Sequence, residues 1–584
     1  MSHPISVNEN QLPWYRMLNG YHWFVFTVCT LGWLFDCLDQ QLFNANRKPA
    51  MIELLGTDPS DPRVDAWATY GTSFLLLGWA TGGIFFGILG DRIGRAKTMV
   101  FTILSYSVFT GVTAFSVSVY DFILYRFLSG LGVGGQFAVG VSLVAEALPD
   151  KARPPALGML QAFSAFGNIT AALIVMLFEH LAATGVIAGS PWRWVFAVGI
   201  IPALLAVVVM LRLEEPQRWK QAVATGEAKK KAGSIRELFG DPRWRRNTIC
   251  GMLLAAAGVI GLWAIGVFSN DLTHTVFLRE AEDQARREGE AEKDQQFLAL
   301  LIHHPEAAPP KETLPDVPMI LGLQADDLDG RLLYAATRTL MEQQKPVSQE
   351  AVLALLDQPV RSEAPTILDK FMPHRQAQSP QERKRREAYL QQGVQLAAQS
   401  GLDPNTFLPQ HAQHIRDRYK QILGHVGFWR SINLMFFNIG AFFGIYSFSW
   451  VTQRLPRRPT FAIFFLLAIV STAAAFLLMR RPWHLFVLVP LMGFAQLSVF
   501  GGYAIYFPEL FPTRLRSTGT SFCYNIARFV AVPGPAVLGL LTAGVFKDYP
   551  EPMRYAGVAM CSCFLVGLFT LPFAPETKDK PLPE

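Results

Sequence analysis

Long apolar runs, separated by shorter polar or basic segments, make up most of this chain. Each run reaches about 20 residues, the length of a helix that crosses a bilayer. Twelve such spans are predicted, at residues 22–43, 67–89, 98–116, 120–145, 157–179, 192–212, 247–270, 429–450, 460–478, 484–507, 518–543 and 554–573. The pattern therefore predicts an all-α membrane protein with twelve transmembrane helices.

Two polar segments interrupt this pattern and define the predicted domains. These are a six-helix N-terminal half at 1–212, a cytoplasmic linker at 213–246, helix 7 at 247–270, a large polar helical insert at 271–428, and the rest of the C-terminal half, with helices 8 to 12 and a tail, at 429–584. By alternation the insert lies outside the cell. Amphipathic stretches at 329–344, 349–356, 381–398 and 414–423 predict helices in it. A small helical domain and partial disorder both remain open.

Charge and composition place the chain in a membrane and argue against nucleic acid as a partner. It is 51% hydrophobic and carries a net charge of +6. Its lysines and arginines lie beside apolar blocks, in alternate connections, which is the positive-inside pattern. We therefore expect both termini in the cytoplasm and a multi-pass protein of the plasma (inner) membrane. No cleavable signal peptide is expected before the first span.

Cysteines and histidines show no pattern of a metal site or a disulfide framework. All six cysteines fall in apolar segments, where they are expected to pack as small core residues. His411 and His414 lack a convincing set of partners and are predicted to be surface residues. No nucleophile–base or metal-ligand constellation is evident, so we predict no enzyme activity and no metal.

Two carboxylates interrupt the first apolar run. Asp36 and Asp39 are three positions apart, so they share one helix face. Each costs about 2.5–3.5 kcal/mol near the middle of a bilayer. Solvated acids at the outer mouth of the helix are the simpler alternative. The other interpretation makes them titratable groups in a transport pathway.

An internal repeat relates the two halves. The pattern E-x-x-P-x-x-x-R follows the fourth span at Glu146 to Arg153 and the tenth span at Glu509 to Arg516. A turn with two arginines follows the second span at Gly90 to Arg95 and the eighth at Thr452 to Arg457. Two matching six-span halves are typical of a transporter that rocks around a site near the midplane.

Several motifs resemble those of the major facilitator superfamily. The sequence is similar to its signature loop, its fourth-helix motif, and the motifs of its sugar and metabolite/proton symporter branches at residues 86–97, 126–135, 215–219, 506–516 and 575–578. The resemblance covers the chain except the insert. It implies a cytoplasmic gate that closes in the outward-open state and breaks as the halves rock. Charge that only sets topology is the alternative.

The gate residues implied by the resemblance are Gly90, Asp91, Arg92, Gly94, Arg95, Glu146, Arg153, Glu509 and Arg516. We expect Glu146 to act with Arg153, and Glu509 with Arg516. Gln453 and Pro456 replace an acid and a glycine in the second copy, so the latch is expected to be stronger in the first half.

Two arginines lie inside apolar runs and need an anion. Arg126 is expected to poise the first-span acids. Arg528 resembles an arginine of the organic-ion branch and is expected to bind a substrate carboxylate, with a permanent internal ion pair as the alternative. The other residues expected to line the cavity are Gln161, Trp263, Asn168, Asn438, Gln496, Tyr524 and Asn525.

The sequence thus predicts a proton-coupled symporter for a small organic anion. Asp36 or Asp39 would take up the proton, and the proton gradient would replace any cofactor. Expected partners are a small-molecule substrate, protons and the lipid bilayer, with a monomeric transport unit. A sugar or polyol porter, an organic-cation or drug exporter that holds its cation at these acids, and a nutrient sensor that signals through the insert remain alternatives.

Overall fold

A computed structural model describes most of the chain. The described residues are 13–57, 62–224, 231–262, 269–315, 328–358, 366–371, 378–531, 533–547, 549 and 551–583. The chain forms two compact units: Met1–Leu272 with Ser431–Glu584, and Thr273–Arg430. The second unit begins two residues after the start of the predicted insert, 271–428, and ends two residues beyond it.

The described secondary structure is helical throughout, with no β-strand in the described residues. The first helices are α1 (Gly20–Leu55), α2 (Pro62–Ile93), α3 (Arg95–Thr113), α4 (Val119–Ala147), α5 (Arg153–Ala162), α6 (Ser164–Ala183), α7 (Pro191–Val198), α8 (Ala203–Arg212), α9 (Gln217–Ala222), α10 (Ile235–Gly240) and α11 (Pro242–Ile260). Next come α12 (Ser269–Arg287), α13 (Glu290–His303), α14 (Leu328–Glu342), α15 (Gln349–Leu356), α16 (Ile367–Phe371), α17 (Pro380–Gln399) and α18 (Pro404–Arg454). The last are α19 (Arg457–Leu478), α20 (Leu485–Glu509), α21 (Arg516–Ala531), α22 (Gly534–Leu540), α23 (Pro552–Met560) and α24 (Cys563–Thr570).

Nine helical segments in the described residues are long and apolar enough to cross a membrane. They coincide with nine of the predicted spans. The other three predictions, 98–116, 247–270 and 518–543, do not meet the same length and composition, although their described residues are largely helical. The arrangement in two six-helix halves stays a prediction.

Local sequence explains where the long helices begin and end. The side chain of Asn19 accepts a hydrogen bond from the His22 amide at 2.8 Å and starts α1. Gly56, with φ +59°, ends it in the left-handed conformation that glycine tolerates best. Ser118 and Asp121 form a capping box at the start of α4.

Close helix contacts in the first unit depend on glycine. A methyl group on Gly134 of α4 would overlap the Trp79 carbonyl of α2. One on Gly83 of α2 would overlap the side chain of Asn525 in α21. Missing side chains here let α2 pack directly against both partners.

The second unit has its own apolar core and is helical where it is described. The buried residues include Phe297, Leu301, Leu333, Leu353, Leu390, Leu408 and Ile415. Predicted helices 329–344, 349–356 and 381–398 agree with α14, α15 and α17, and the 414–423 prediction lies inside the longer α18. The described residues of the second unit therefore form a small helical domain with a packed core.

The prediction that His411 and His414 are surface residues is wrong for His411 and confirmed for His414. His411 is buried and hydrogen-bonds Asp294 at 2.8 Å. His414 is half exposed but contacts Glu290 at 2.8 Å, and Arg418 bonds both acids. The partners lie more than a hundred positions earlier, on α13, so local sequence gave no sign of them.

Candidate functional site

A buried cluster of charges lies at one end of the first unit, which we call the gate end because it contains residues of the predicted gate. Arg95, at the start of α3, is fully buried. Its Nη2 lies 2.9 Å from both the Asp91 and the Glu146 carboxylates, and its Nη1 donates to the Gly90 carbonyl at 2.7 Å. The guanidinium therefore ties the end of α2 to the end of α4.

The same cluster reaches from the first half of the sequence into the second. Glu146 also lies 2.8 Å from Nη1 of Arg516, the first residue of α21. Asp91 accepts hydrogen bonds from the amides of Ser517 and Thr518 at 3.2 and 2.8 Å. A carboxylate at a helix N-terminus is stabilised by the free amides and the helix dipole. Contacts at this end therefore join α2 and α4 to the start of α21.

The expected pairing of Glu146 with Arg153 and of Glu509 with Arg516 is wrong. Arg153 bonds the Ala145 carbonyl and the Asp150 carboxylate instead. Each repeat motif spans the end of one helix and the start of the next. Its arginine therefore donates back to a carbonyl near the end of the preceding helix, Ala145 for Arg153 and Pro508 for Arg516.

The second copy of the motif forms ion pairs inside its own half. Arg457 lies 2.9 Å from Glu509, and Thr577 donates to the same carboxylate at 2.6 Å. Arg92 is exposed at the end of α2. Gly94, with φ +112°, occupies a conformation that side chains disfavour.

Two glutamates in the gate were not identified as site residues from the sequence. Glu215 accepts hydrogen bonds from the Arg95, Ala96 and Lys97 amides at 2.7 to 3.2 Å. Glu576 accepts from the amides at the start of α19 in the same way, at 2.9 and 3.1 Å. Each lies beside a proline in the motifs at 215–219 and 575–578. This repeated glutamate–proline neighbourhood is the sequence feature that could have identified both as site residues.

Deeper in the first unit, Asp39 lies in a satisfied polar cluster. Thr110 donates to Oδ1 at 2.5 Å and Ser129 to Oδ2 at 3.1 Å. Arg126 Nη1 lies 3.6 Å from the carboxylate, and its guanidinium stacks over Phe196 at 4.8 Å. Thr110 and Ser129 were not predicted, because isolated hydroxyls in apolar runs carry no sequence signal.

Asp36 has a different environment, one turn away on the same helix. Both of its oxygens are buried and have no hydrogen-bond partner. Asp36 and Asp39 are only 1% and 2% exposed. The alternative of two solvated acids at a helix mouth is therefore wrong: the structure buries both carboxylates.

Arg528 lies on α21 in an aromatic and polar setting. Its Nη1 donates to the Tyr524 carbonyl at 3.1 Å and to Asn525 Oδ1 at 3.0 Å. The guanidinium lies over the rings of Trp79 and Tyr524, at 4.0 and 4.3 Å. Its Nε has no partner. No ion pair holds Arg528 among the described residues, which does not fit the alternative of a permanent internal pair.

The predicted neutral residues are scattered over several helices. Asn168 of α6 donates to Asn438 of α18 at 2.6 Å, a direct bond between the halves. Gln496 donates to Thr472 at 2.8 Å, and its carbonyl oxygen, like that of Gln161, is buried without a partner.

Three further residues were predicted to line the cavity, and two of them pack against the first half of the sequence. Tyr524 stacks on Phe137 of α4 at 4.0 Å, and Asn525 packs against Gly83. Trp263 lies outside the described residues. Within the residues that the structure describes, no group of three potential metal ligands occurs. The described residues thus contain a buried acid without a hydrogen-bond partner at Asp36, a guanidinium without an acid at Arg528, and a buried charge cluster around Arg95 and Glu146.

Comparison with known proteins identifies relatives of this arrangement. The family model described as "Sugar (and other) transporter" matches residues 17–276. The cis,cis-muconate transport protein of Acinetobacter baylyi is 34% identical over 196 residues, 33% of this chain and 46% of that protein. The niacin transporter of the same organism is 31% identical over 199 residues, 34% and 42% of the two chains. The chain spans about half the length of the curated relatives it matches.

Among solved structures, the proton:xylose symporter XylE of the major facilitator superfamily has a similar fold. The match has a TM-score of 0.51 and 15% identity, and it covers 96% of this chain and 98% of that one. At this identity the likeness concerns the fold alone.

Proposed function

We propose that this chain, which belongs to the major facilitator superfamily and resembles its sugar porters, imports a small organic anion together with protons. The family is one of transporters and not of enzymes. The proposal needs no cofactor beyond a proton gradient. It places the protein in the plasma membrane as a monomeric transport unit with both termini in the cytoplasm, where the basic connections lie.

The observation that carries proton coupling is the contrast between the two acids. Asp39 has two hydroxyl donors and Arg126, while Asp36 is buried without a donor. An ionised carboxylate without partners costs several kcal/mol in such a place, and binding a proton removes that cost. We therefore assign proton uptake to Asp36. Asp39 would stay ionised beside Arg126.

The observation that supports an organic anion is the unpaired Arg528. A guanidinium binds carboxylates through two parallel hydrogen bonds. The rings of Trp79 and Tyr524 add flat walls that suit an unsaturated acid. Two relatives are named for cis,cis-muconate and niacin, which favours the same substrate class.

Alternating access would use the gate end. Glu146 with Arg516, and Asp91 with the start of α21, would break together as the halves separate. Asp36 and Arg528 interact electrostatically without forming an ion pair. Proton binding to Asp36 would remove a negative charge that opposes the binding of an anion at Arg528. Binding of a proton to Asp36 would thereby favour binding of the substrate anion to Arg528, and the reverse.

The test is uptake by purified protein in proteoliposomes under an imposed pH gradient, with aromatic and unsaturated carboxylates as substrates. We expect Asp36→Asn to abolish accumulation against a concentration gradient while counterflow exchange persists. Glu179→Gln is the matched control, since this carboxylate lies exposed on α6. If Asp36→Asn accumulates substrate as well as the unaltered chain, proton coupling at this residue is wrong.

A sugar porter is the second candidate, favoured by the unpaired amide oxygens of Gln161 and Gln496. Such carbonyls accept hydrogen bonds from hydroxyl groups of a neutral solute. Arg528→Gln discriminates the two functions. It should abolish binding of carboxylates if Arg528 holds the anion, and leave binding of sugars within about twofold. Thermal-shift titration with both solute classes measures this.

A further inference from the structure

An exposed apolar groove runs between α11 and the last helix, α24, outside the proposed transport pathway. Its volume is about 640 Å³, and Ile249, Leu253, Val566 and Phe569 form most of its apolar wall. All four side chains are exposed in the isolated chain. Helices of a membrane protein present such faces to the hydrocarbon of the bilayer.

Two arginines lie at the gate end of this groove. Arg245 and Arg246 line it near the start of α11, and both are exposed. Arg246 Nε donates to the Phe573 carbonyl at 2.9 Å, which places the arginines beside the end of α24. Leu253 lies seven positions further along α11, about 10 Å away at 1.5 Å per residue. The groove is therefore charged at one end and apolar along its length.

These arginines differ from three buried arginines of the gate end. Arg95, Arg457 and Arg516 each form an ion pair with a buried glutamate. Within the described ranges, neither Arg245 nor Arg246 lies within 4.0 Å of a carboxylate. Their charge is available to an external anion.

We propose that this groove binds an anionic phospholipid. The phosphate group pairs with Arg245 and Arg246, and one acyl chain lies along Ile249, Leu253 and Val566. Basic pockets between transmembrane helices bind anionic head groups in this way, and arginine adds paired hydrogen bonds to phosphate oxygens.

A neighbouring cavity shares Arg246 with the groove but differs from it in charge. This second cavity, about 510 Å³, contains the carboxylates of Glu509 and Glu576 beside Arg243 and Lys580. Its cations are therefore partly balanced by carboxylates, whereas no acid among the described residues lines the groove beside Arg245 and Arg246. Free phosphate would meet only the arginine end and gain nothing from the apolar wall, which favours a lipid.

The experiment is native mass spectrometry of the full chain in detergent, titrated with phosphatidylglycerol, phosphatidylcholine or glycerol phosphate. We expect saturable binding of phosphatidylglycerol. Each arginine near an anionic lipid surface contributes about 1 kcal/mol to binding. Arg245→Gln should therefore weaken lipid binding about fivefold, and the double variant Arg245→Gln with Arg246→Gln should weaken it more than the single variant does. Val566→Trp fills the groove but keeps both arginines, and it should weaken lipid binding as well.

The matched control is Arg480→Gln with Arg481→Gln, which removes two exposed arginines from the connection before α20. It should leave lipid affinity unchanged. Thermal unfolding identifies any variant that fails to fold, and Arg245→Gln alone spares the bond of Arg246 to Phe573. Equal binding of phosphatidylcholine, equal binding of glycerol phosphate, or unaltered affinity of Arg245→Gln and Val566→Trp would each overturn the proposal.

Discussion

Nη1 of Arg516 lies 2.8 Å from the carboxylate of Glu146, and both side chains are fully buried. The two residues are 370 positions apart in the chain. Glu146 also holds Arg95, so one carboxylate serves two guanidiniums at the contact between the halves. This ion pair is the part of the gate that must break if the halves separate.

Glu146→Gln should therefore open the gate end. Removing one partner of a buried ion pair costs about 3–5 kcal/mol. Here Arg516 loses its acid, while Arg95 keeps its ion pair with Asp91. We expect the state with the gate closed to lose population. A cysteine at Val139, which packs beside Gly90 and is fully buried, should become reactive towards a maleimide in a chain without its native cysteines.

The control for that measurement is Arg218→Gln, which removes an exposed contact to Asp150. Exposed pairs contribute at most about 1 kcal/mol, so labelling should stay unchanged. Equal labelling rates for Glu146→Gln and the unaltered chain would exclude Glu146 as the latch.

Asp36→Asn and Asp39→Asn should differ in their effect on stability. Asp39 balances Arg126 and receives bonds from Thr110 and Ser129, so its replacement leaves a buried guanidinium without an acid. We expect a loss of about 3–5 kcal/mol for Asp39→Asn. Asp36 has no hydrogen-bond partner to lose, so Asp36→Asn should be neutral or stabilising.

Thermal unfolding of the two purified variants checks this order. A larger loss for Asp36→Asn than for Asp39→Asn would mean that Asp36 is the acid paired in the folded state.

Gly134→Ala should destabilise the contact between α4 and α2. The added methyl group would overlap the Trp79 carbonyl, a backbone atom that cannot move away on its own. Overpacking of this kind costs about 1–3 kcal/mol. Gly140→Ala on the same helix is the matched control, because nothing lies within 4 Å of its added Cβ, and it should be neutral or stabilising. The midpoints of thermal unfolding should separate the two variants.

Acid should loosen the second unit through Glu290. Burial alone would raise the pKa of Glu290, but hydrogen bonds from Lys293 and His414 and their charges outweigh it, so that pKa falls from 4.5 to about 2. A lowered pKa in the folded state contributes stability that is present above the unfolded value of 4.5 and is lost as the pH falls towards 2.

Hydrogen exchange of residues 290–303 between pH 5 and pH 2.5 measures this loss. Glu290→Gln should remove most of the pH dependence, while Glu292→Gln, an exposed neighbour, should retain it. A retained pH dependence in Glu290→Gln would assign the effect to another group.

The helices and the family were largely predictable from local sequence patterns. The ion pairs and hydrogen bonds between residues far apart in the sequence were not. Apolar runs located nine helices of spanning length, and the family resemblance is confirmed by the match at residues 17–276. The cation partner of Glu146 was predicted incorrectly, because Arg153 is near in sequence while Arg516 is near in space. The acid partners of His411 and His414 were missed for the same reason, because Asp294 and Glu290 lie more than a hundred positions earlier in the sequence.

The sequence by itself determined the apolar helices, the repeated charged motifs and the two acids of the first span, because each depends on residues close together in the chain. Only the tertiary structure decided that both acids are buried, that Asp39 is satisfied while Asp36 is not, and which arginines have an acid beside them. Hydrogen bonds and ion pairs act over a few ångströms, so their partners are set by how the helices pack and not by how far apart residues stand in the sequence.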